Sequence, residues 1–262
     1  MVLNDQEKID YWIERIGRVE PFVSSHTFAV YTSADGRNFV MHGSCVTVSI
    51  DNEDFVCTAE HLIKSVLRSS GHCVVGINGR FEVLDLTSVI RLKQDSTDYD
   101  ICLLKLKQSP TDVHYLRQSD IFLAETFGKG TWQYLQGFPL SKNKRHDLHD
   151  HENSTVSAGY INIAVRVDQT LTPPANGQSS ETHFFFRYER TVFQEDRNHH
   201  IEFRNQQNAL SLRGCSGCGI WTISEEAAQP HVKLAAIFTT HGSSTGSATK
   251  AENLLRKEIW VH

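Results

Sequence analysis

The sequence predicts an all-β fold, built as two small antiparallel barrels or as a sandwich, with a helix at each end of the chain. Its β-branched and aromatic runs are short and are separated by turn dipeptides such as Asn78-Gly79, a strong hairpin signal. Between these runs we find no long helical pattern of the kind that connects parallel strands, which excludes a parallel α/β sheet. The 262 residues are enough for one or two domains.

The first predicted element is a helix within residues 1–21. Asn4 or Asp5 can cap its start. Its apolar face has the i, i+3, i+4, i+7 spacing of a helix and consists of Ile9, Trp12, Ile13 and Ile16. Gly17 and Pro21 are expected to end it. We expect this helix to pack against a barrel, and docking of a partner protein is the alternative.

Strand-like runs then fill residues 22–118, which we assign to the first barrel. They are Thr27–Thr32, Asn38–Ile50, Asp54–Cys57, Cys73–Ile77, Phe81–Leu92 and Ile101–Leu106. A short helix is expected at His61–Leu67.

A second set of strands follows in residues 119–262, which we assign to the second barrel. Its clearest members are Thr131–Phe138, Thr155–Val167, Thr182–Tyr188, Gly219–Ile223 and Lys233–Thr239. Two segments are interpreted as exposed loops, Leu140–Ser154 and Leu171–Glu181. The chain ends in a predicted helix over Ala248–Trp260 with Ser247 as its cap. One helical face of that segment consists of Ala251, Leu254, Leu255 and Ile259.

Composition and charge exclude several classes of partner. The formal net charge is −5, so the chain has no overall attraction to nucleic acid or to an anionic membrane surface. No apolar run approaches the roughly 20 residues that cross a bilayer, and the N-terminal segment lacks the regions of a signal peptide. We therefore expect a cytoplasmic protein with no nucleic-acid or membrane partner. The six cysteines agree with this, because thiols in cytosolic chains mostly stay reduced.

Three segments contain the residue types of an acyl-transfer enzyme. The first ends a strand and contains His61, the second begins an apolar run with Asp100, and the third is a glycine-rich turn around Ser216. A serine hydroxyl becomes a nucleophile only beside a base. A histidine can take up and return the proton, and a carboxylate on its other ring nitrogen fixes the tautomer.

These segments resemble the trypsin/chymotrypsin-like (S1-type) serine peptidases. Residues 58–61 (T-A-E-H) are similar to the family's S/T-A-A-H motif, residues 100–106 (D-I-C-L-L-K-L) to its D-I-A-L-L-K-L strand, and residues 214–218 (G-C-S-G-C) to G-D-S-G-G. Their order along the chain is the family's order, and the resemblance covers roughly residues 24–260. It implies two antiparallel six-stranded β-barrels, the first carrying the histidine and the aspartate and the second carrying the serine.

The resemblance also assigns roles to the site residues. His61 would be the general base, Asp100 its orienting carboxylate and Ser216 the nucleophile. The backbone N–H groups of Gly214 and Ser216 would form the oxyanion hole. Asp98 and Asp95 compete for the carboxylate role, but the apolar run aligns only when Asp100 takes it.

Two cysteines depart from the pattern of secreted members. Cys215 stands where animal digestive enzymes carry the aspartate that pairs with a newly cleaved N-terminus, and Cys218 replaces a glycine. No cysteine pair brackets His61. The pattern fits cytosolic bacterial or organellar relatives and implies no processing step. For Cys215 and Cys218 we expect free thiols packed behind the turn, and the alternatives are a zinc site or a disulfide.

The substrate pocket is placed by the same resemblance. Leu210, six residues before the nucleophile, would form its base, and its walls would be Ser211, Thr239, Thr240 and His241. A buried ammonium group without a carboxylate is costly, so cleavage after Lys or Arg is disfavoured. An apolar or medium-sized uncharged side chain is expected instead, and binding of Glu or Gln by His241 is the alternative.

The resulting hypothesis is a serine endopeptidase that hydrolyses protein or peptide substrates through an acyl-serine, with no metal and no organic cofactor. The irregular spacing of His146, His149 and His151 suits a solvated loop better than a metal site. An unrestricted cytosolic peptidase would be hazardous, so narrow specificity or a regulatory protein partner is expected. The alternatives are a catalytically silent protein-binding module with the same fold and an esterase that uses the same triad.

Overall fold

The computed structural model describes residues 5–69, 71–94, 97–108, 110–123, 132–140, 143, 145–147, 158–168, 170–171, 178–188, 192–195, 201–204, 212–224, 231–241 and 245–262. Within these residues there are two α-helices, α1 (Asp5–Ser24) and α2 (Glu60–Ser69). Almost everything else that is regular is β-strand, as the sequence predicted. No helix in the described part of the chain is both long and apolar enough to cross a membrane.

The strands of the first half are short and mostly buried. They are β1 (Thr27–Ser33), β2 (Asn38–Ile50), β3 (Glu53–Ala59), β4 (His72–Ile77), β5 (Arg80–Val83), β6 (Ile90–Gln94) and β7 (Thr97–Leu104). The second half contributes β8 (Trp132–Gly137), β9 (Arg145–Asp147), β10 (Ile161–Val167), β11 (His183–Tyr188), β12 (Val192–Glu195), β13 (Ile201–Arg204), β14 (Gly219–Ser224), β15 (His231–His241), β16 (Thr245–Lys250) and β17 (Trp260–Val261).

The second half forms a closed antiparallel barrel of six strands in the order β10-β11-β16-β15-β14-β8. This confirms the six-stranded barrel expected there. A separate two-stranded sheet pairs β12 with β13, in a stretch where the sequence analysis assigned no strand.

The first half forms a larger antiparallel sheet than expected. Its order is β17-β6-β7-β3-β2-β1-β4-β5, and β9 pairs with the start of β2 to make nine strands. Residues 145–147 and 260–261, which the sequence analysis placed in the second barrel, thus extend the first sheet. An isolated β-bridge pairs Leu84, which follows β5, with Leu106, which lies two residues after β7.

Local turn chemistry explains where the strands of the first sheet begin and end. Asn78 and Gly79 have φ values of 49° and 82°, the paired positive values of a two-residue hairpin turn, and this confirms the predicted hairpin. The predicted strand Phe81–Leu92 is instead divided in two. The carboxylate of Asp85 accepts hydrogen bonds from the Thr87 N–H and the Ser88 hydroxyl, and this local turn competes with the ladder.

The largest hydrophobic cluster among the described residues connects the two halves. It contains Val46 and Tyr99 of the first sheet together with Trp221 and Leu234 of the second barrel, all fully buried. Val23 of α1 belongs to the same cluster. Two further clusters fill the first sheet and the second barrel separately. The seam between the halves is therefore packed core, and the candidate site lies along its edge.

Helix α1 continues beyond the stop that Gly17 and Pro21 predicted, to Ser24. A proline inside a helix costs about 3 kcal/mol. The last turns, however, bury Val19 and Val23 in the shared core, and each such side chain contributes roughly 1.5–3 kcal/mol. Packing therefore outweighs the proline. Ile16 is buried as predicted, and the side chains of Ile9, Trp12 and Ile13 lie outside the described residues.

The C-terminal helix is shorter than predicted and consists of two 3₁₀ segments, Ala251–Leu255 and Lys257–Ile259. Ala248 and the expected cap Ser247 belong to β16, because that strand is needed to close the second barrel between β11 and β15. The apolar spacing was still informative. Ala251, Leu254 and Ile259 are buried in the shared core, since a 3₁₀ turn also brings residues three apart to one side.

Candidate active site

The side chains of His61 and Asp100 are in direct hydrogen-bond contact. The Nδ1 atom of His61 lies 2.7 Å from Oδ2 of Asp100, and the backbone N–H of His61 donates to the other carboxylate oxygen at 3.0 Å. An ionised carboxylate only accepts hydrogen bonds, so Nδ1 carries the hydrogen. In the neutral ring Nε2 is then left as a hydrogen-bond acceptor, ready to take a proton.

The two residues meet because their strands pair. β3 runs antiparallel to β7, with Ala59 opposite Ile101. His61 follows the end of β3 in the first turn of α2, and Asp100 lies beside it in β7. Asp100 has a φ of 46°, a left-handed backbone conformation that is uncommon outside glycine, asparagine and aspartate. Such backbone strain is concentrated at functional sites.

Glu60, the residue before His61, anchors the start of α2. Its largely buried carboxylate accepts from Arg91 Nε at 2.9 Å and from Lys64 Nζ at 2.8 Å. A buried carboxylate with two cationic partners is compensated, so the first turn of the helix is tied to β6. Local sequence patterns do not predict this pair, since only the fold brings Arg91 to Glu60.

The turn that carries Ser216 is held by backbone hydrogen bonds. Cys215 N–H donates to Leu212 O at 2.9 Å, and Cys218 N–H donates to Cys215 O at 3.0 Å. Two more bonds join the turn to β15, from Gly217 N–H to Phe238 O at 2.7 Å and from Phe238 N–H to Cys218 O at 2.9 Å. The turn is thus fastened to the second barrel on both sides of the serine.

The same turn touches the first sheet beside His61. The Ser216 carbonyl accepts from the Ser44 N–H of β2 at 2.8 Å. A side chain at Gly217, whose φ is +88°, would overlap Ser44 O and come within 3.0 Å of Ala59 N. Ala59 is two residues before His61. The fold therefore brings the serine turn to the strand end from which the histidine projects.

Two N–H groups of the turn have no hydrogen-bond acceptor among the described residues. Within the described residues, the N–H groups of Cys215, Gly217 and Cys218 donate to carbonyls, and those of Gly214 and Ser216 have no acceptor. The Arg213 carbonyl accepts from Leu140 N–H at 2.8 Å. In a trans peptide the N–H points away from the carbonyl, so the Gly214 N–H is directed away from Leu140.

The Ser216 hydroxyl is half-buried and donates to the Thr239 carbonyl at 3.4 Å. Thr239 lies at an irregularity in the pairing of β15 with β16, between Phe238 and Thr240. Bulges of this kind recur beside active sites because they redirect a backbone or side-chain group. Here the irregularity directs a strand carbonyl to the serine.

The predicted pocket is described only in part. Thr239 is buried and Thr240 is half-buried on β15. Leu210, Ser211 and the side chain of His241 lie outside the described residues, as do Asp95 and the side chain of Asp98, the competing carboxylates. Among the described residues, β15 contacts the serine turn at Phe238 and at Thr239.

The cysteines near the serine are buried free thiols. Cys215 and Cys218 are 0% exposed and belong to the apolar cluster of the second barrel. Burial raises the pKa of both thiols far above their usual range. In the part of the chain that the structure describes, no group of three or more His, Cys, Asp or Glu residues could hold a metal ion. His149 and His151 lie outside it.

Comparisons with known proteins agree with this architecture. The active form of the Rv3671c protease from M. tuberculosis is similar in structure, with a TM-score of 0.52 and 12% sequence identity over 94% of this chain and 85% of that one. At that identity the likeness shows the fold alone. No curated protein matches the sequence. The sequence model of the family named Trypsin matches residues 23–182, which include His61 and Asp100 and end before Ser216. Because this match spans more than half of the chain, the protein belongs to the trypsin family.

Proposed function

We propose that the protein is a serine endopeptidase in which His61, Asp100 and Ser216 act as a catalytic triad. The observation that carries the proposal is the 2.7 Å contact between His61 Nδ1 and the Asp100 carboxylate. It leaves Nε2 of a neutral His61 free to accept a proton, at the strand end against which the Ser216 turn packs. Trypsin-family membership supports it, as do the two N–H groups of that turn that have no acceptor in the described part of the chain.

The reaction begins with attack of Ser216 Oγ on the carbonyl carbon of the scissile bond. His61 Nε2 takes the hydroxyl proton as the C–O bond forms, and Asp100 stabilises the resulting imidazolium. The negative charge on the substrate oxygen is accepted by the N–H groups of Gly214 and Ser216, which lie in a turn already fixed before the reaction.

Cleavage of the peptide bond and hydrolysis of the acyl-serine then follow as two steps. The tetrahedral intermediate expels the amine, which takes the proton from His61 Nε2, and an acyl-serine remains. Water attacks this ester with His61 as base, and the acid product leaves as Ser216 regains its hydrogen.

Before the first step the Ser216 hydroxyl must change its hydrogen bond. It donates to the Thr239 carbonyl in this structure, and the proposed reaction requires it to donate to His61 Nε2 instead. Catalytic hydrogen bonds in substrate-free enzymes are often long and tighten only in the complex.

We propose that the substrate residue before the cleaved bond (P1) is uncharged and that the protein works in a reducing compartment. Leu210 at the expected base of the pocket offers no carboxylate for Lys or Arg. All six cysteines are free and buried, which suits a protein that works among reduced thiols. Placement in the cytoplasm and control by a protein partner belong to this proposal.

A fluorophosphonate probe tests the nucleophile. It should label the native protein at Ser216, and labelling should disappear in Ser216→Ala and His61→Ala. Ser119→Ala changes an exposed serine and should label like the wild type. Labelling that survives Ser216→Ala would overturn the assignment, and absence of wild-type labelling would favour the catalytically silent module.

Mapping of new protein N-termini tests the substrate class. A proteome treated with wild type but not with Ser216→Ala should gain internal cleavages after uncharged residues. Turnover of small esters with no peptide cleavage would instead identify an esterase.

A further inference from the structure

Ser44 is a fully buried residue of β2, and several of its hydrogen bonds end on the segments that build the site. Its N–H donates to Ser216 O at 2.8 Å. Its carbonyl accepts from the Thr58 hydroxyl at 2.7 Å, three residues before His61. A single residue of the first sheet thus connects the histidine strand to the serine turn.

The Ser44 hydroxyl makes two further bonds into the second barrel. It donates to the Gly214 carbonyl at 3.1 Å and accepts from the Phe138 N–H at 3.1 Å. The hydroxyl therefore uses both its donor and its acceptor capacity. Its partners come from two separate loops of the second barrel.

The peptide groups on both sides of Gly214 are held by hydrogen bonds, and the Ser44 hydroxyl supplies one of them. The Arg213–Gly214 peptide is held through Leu140 N–H and the Arg213 carbonyl at 2.8 Å. The Gly214–Cys215 peptide is held at its N–H by Leu212 O at 2.9 Å and at its carbonyl by the Ser44 hydroxyl at 3.1 Å. Gly214 has a φ of +96°, and a glycine passes readily between backbone conformations unless its neighbours are fixed. With both peptides held, the direction of the Gly214 N–H is set.

The turn's own side chains offer little to fix that direction. Cys215 and Cys218 are uncharged thiols in the apolar interior of the second barrel, and the glycines have no side chain. A hydroxyl from the opposite sheet supplies the directional contact that they lack.

We propose that Ser44 is a positioning residue whose hydroxyl holds the turn around Ser216 with the Gly214 N–H turned towards the oxyanion of the substrate. This inference rests on the proposed peptidase function for its catalytic consequence. The ordering of the turn is a property of the folded protein and can be measured without activity.

Ser44→Ala removes the hydroxyl and keeps the Cβ, and Ser44→Gly removes both. Thr47→Ala is the matched control. Thr47 is also fully buried on β2, and its hydroxyl donates to the His114 carbonyl at 2.7 Å, away from the turn. All three variants lose one buried hydroxyl from the same strand, so loss of stability alone does not distinguish them.

Hydrogen exchange measured by mass spectrometry gives the readout that is independent of activity. Peptides covering Phe138 and residues 212–219 should exchange faster in both Ser44 variants, and they should exchange as in the wild type in Thr47→Ala. Unchanged exchange in these peptides would overturn the proposal, whether or not the protein is a peptidase.

Kinetics give the catalytic readout. In both Ser44 variants kcat should fall by about tenfold or more, towards the roughly 10²–10³-fold cost of losing one oxyanion donor, and KM should change little. Thr47→Ala should keep the wild-type kcat. Wild-type kcat in Ser44→Gly would overturn the proposal. If the wild type takes no fluorophosphonate label but the Ser44 variants still exchange faster, the ordering role of Ser44 is retained. The peptidase function is then refuted instead.

Discussion

Asp100 has to satisfy two demands at the scale of a single residue. Its backbone has a φ of 46°, and its two carboxylate oxygens both accept from His61. Asparagine tolerates the left-handed conformation. Its amide, however, can present an N–H group to the His61 ring at the place where the carboxylate accepts a hydrogen bond from Nδ1. Substitution by asparagine therefore tests the chemical role of the carboxylate while keeping the backbone conformation.

We expect Asp100→Asn to lower kcat/KM by about 10⁴-fold, the loss that follows when the histidine of such a triad is held in the wrong tautomer. The melting temperature should change little, because the backbone conformation is retained. Asp100→Ala should lose both activity and stability. Steady-state kinetics and thermal unfolding check this, and an active Asp100→Asn enzyme would contradict the role of the carboxylate.

The cysteines should be unreactive in the folded protein. All six are at most 1% exposed, and burial raises the pKa of each thiol, to about 12 for Cys73. The thiolate is the reactive form, so an aromatic disulfide reagent at about pH 8 should modify none of them in the native state and all of them in denaturant. Mass spectrometry counts the modified sites. Rapid native labelling of Cys215 would mean that the serine turn opens.

Single residues also show how far the sequence could predict the site. His61 and Asp100 were identifiable because the neighbours that mark them are adjacent in the chain. Ser44 was not, since its hydroxyl partners lie 94 and 170 residues further along. The ion pair of Glu60 and Arg91, which are 31 residues apart, could not be predicted for the same reason. Hydrogen bonds between distant segments leave no local pattern.

At the scale of elements, the serine turn is defined by how closely the first sheet approaches it. A Cβ atom at Gly217 would overlap the Ser44 carbonyl and the Thr58 hydroxyl. Gly79 has a similar φ of +82°, but a Cβ there would meet nothing within 4 Å. A substitution at Gly79 therefore adds backbone strain alone, whereas a substitution at Gly217 adds both backbone strain and steric overlap.

We predict that Gly79→Ala costs roughly 1–2 kcal/mol of unfolding free energy, the price of a left-handed alanine. Gly217→Ala should cost clearly more and should abolish activity, because the turn must move away from His61. Denaturant unfolding and peptide turnover provide the comparison. Equal losses in the two variants would show that the close approach at Gly217 is unimportant.

The junction between α1 and β1 should make stability depend on pH. His26 is buried there, and its Nδ1 lies 2.7 Å from Phe22 O. Burial lowers the pKa of His26; the nearby His114 also lowers it, and the backbone hydrogen bond to Phe22 and the charge of Asp120 oppose the change. Burial lowers the pKa of His42 as well. The unfolded chain then binds these protons more readily than the native protein.

The unfolding free energy should therefore fall as the pH drops through about 6.5, the usual histidine range. Urea titrations at about pH 7.5 and about pH 5 measure the loss, and His26→Gln should reduce the difference between them. A wild type that gains stability on acidification would show that the sign is wrong.

Elements were predicted best where the signal was local. The Asn78-Gly79 hairpin needed only neighbouring residues, as did the strand predicted over Ile101–Leu106, which is observed as β7 (Thr97–Leu104). The end of α1 and the start of β16 depended on packing, since buried Val23 carries the helix past Pro21 and barrel closure takes Ser247 and Ala248 from the predicted helix. Tertiary contacts override local signals at such ends.

At the scale of the whole molecule, the two halves are tied together at several points. β17, at the end of the chain, pairs with β6 of the first sheet. Trp260 packs edge-on against Phe55, with ring centroids 5.7 Å apart. β9 crosses in the same way to pair with β2, and the central cluster contains residues from both halves. A protein joined in this manner should lose both halves together, in one transition.

Pulsed thiol labelling along a denaturant gradient can follow each half, because the buried cysteines are divided between them. Cys57 and Cys102 report on the first sheet, and Cys215 and Cys218 report on the second barrel. We expect all four to become reactive with the same midpoint and the same unfolding free energy, since opening either half exposes the shared core. Trp260→Ala should lower both midpoints together. A second-barrel pair that becomes reactive at clearly lower denaturant would mean that the halves unfold independently, and that the site at their seam is held by the serine turn alone.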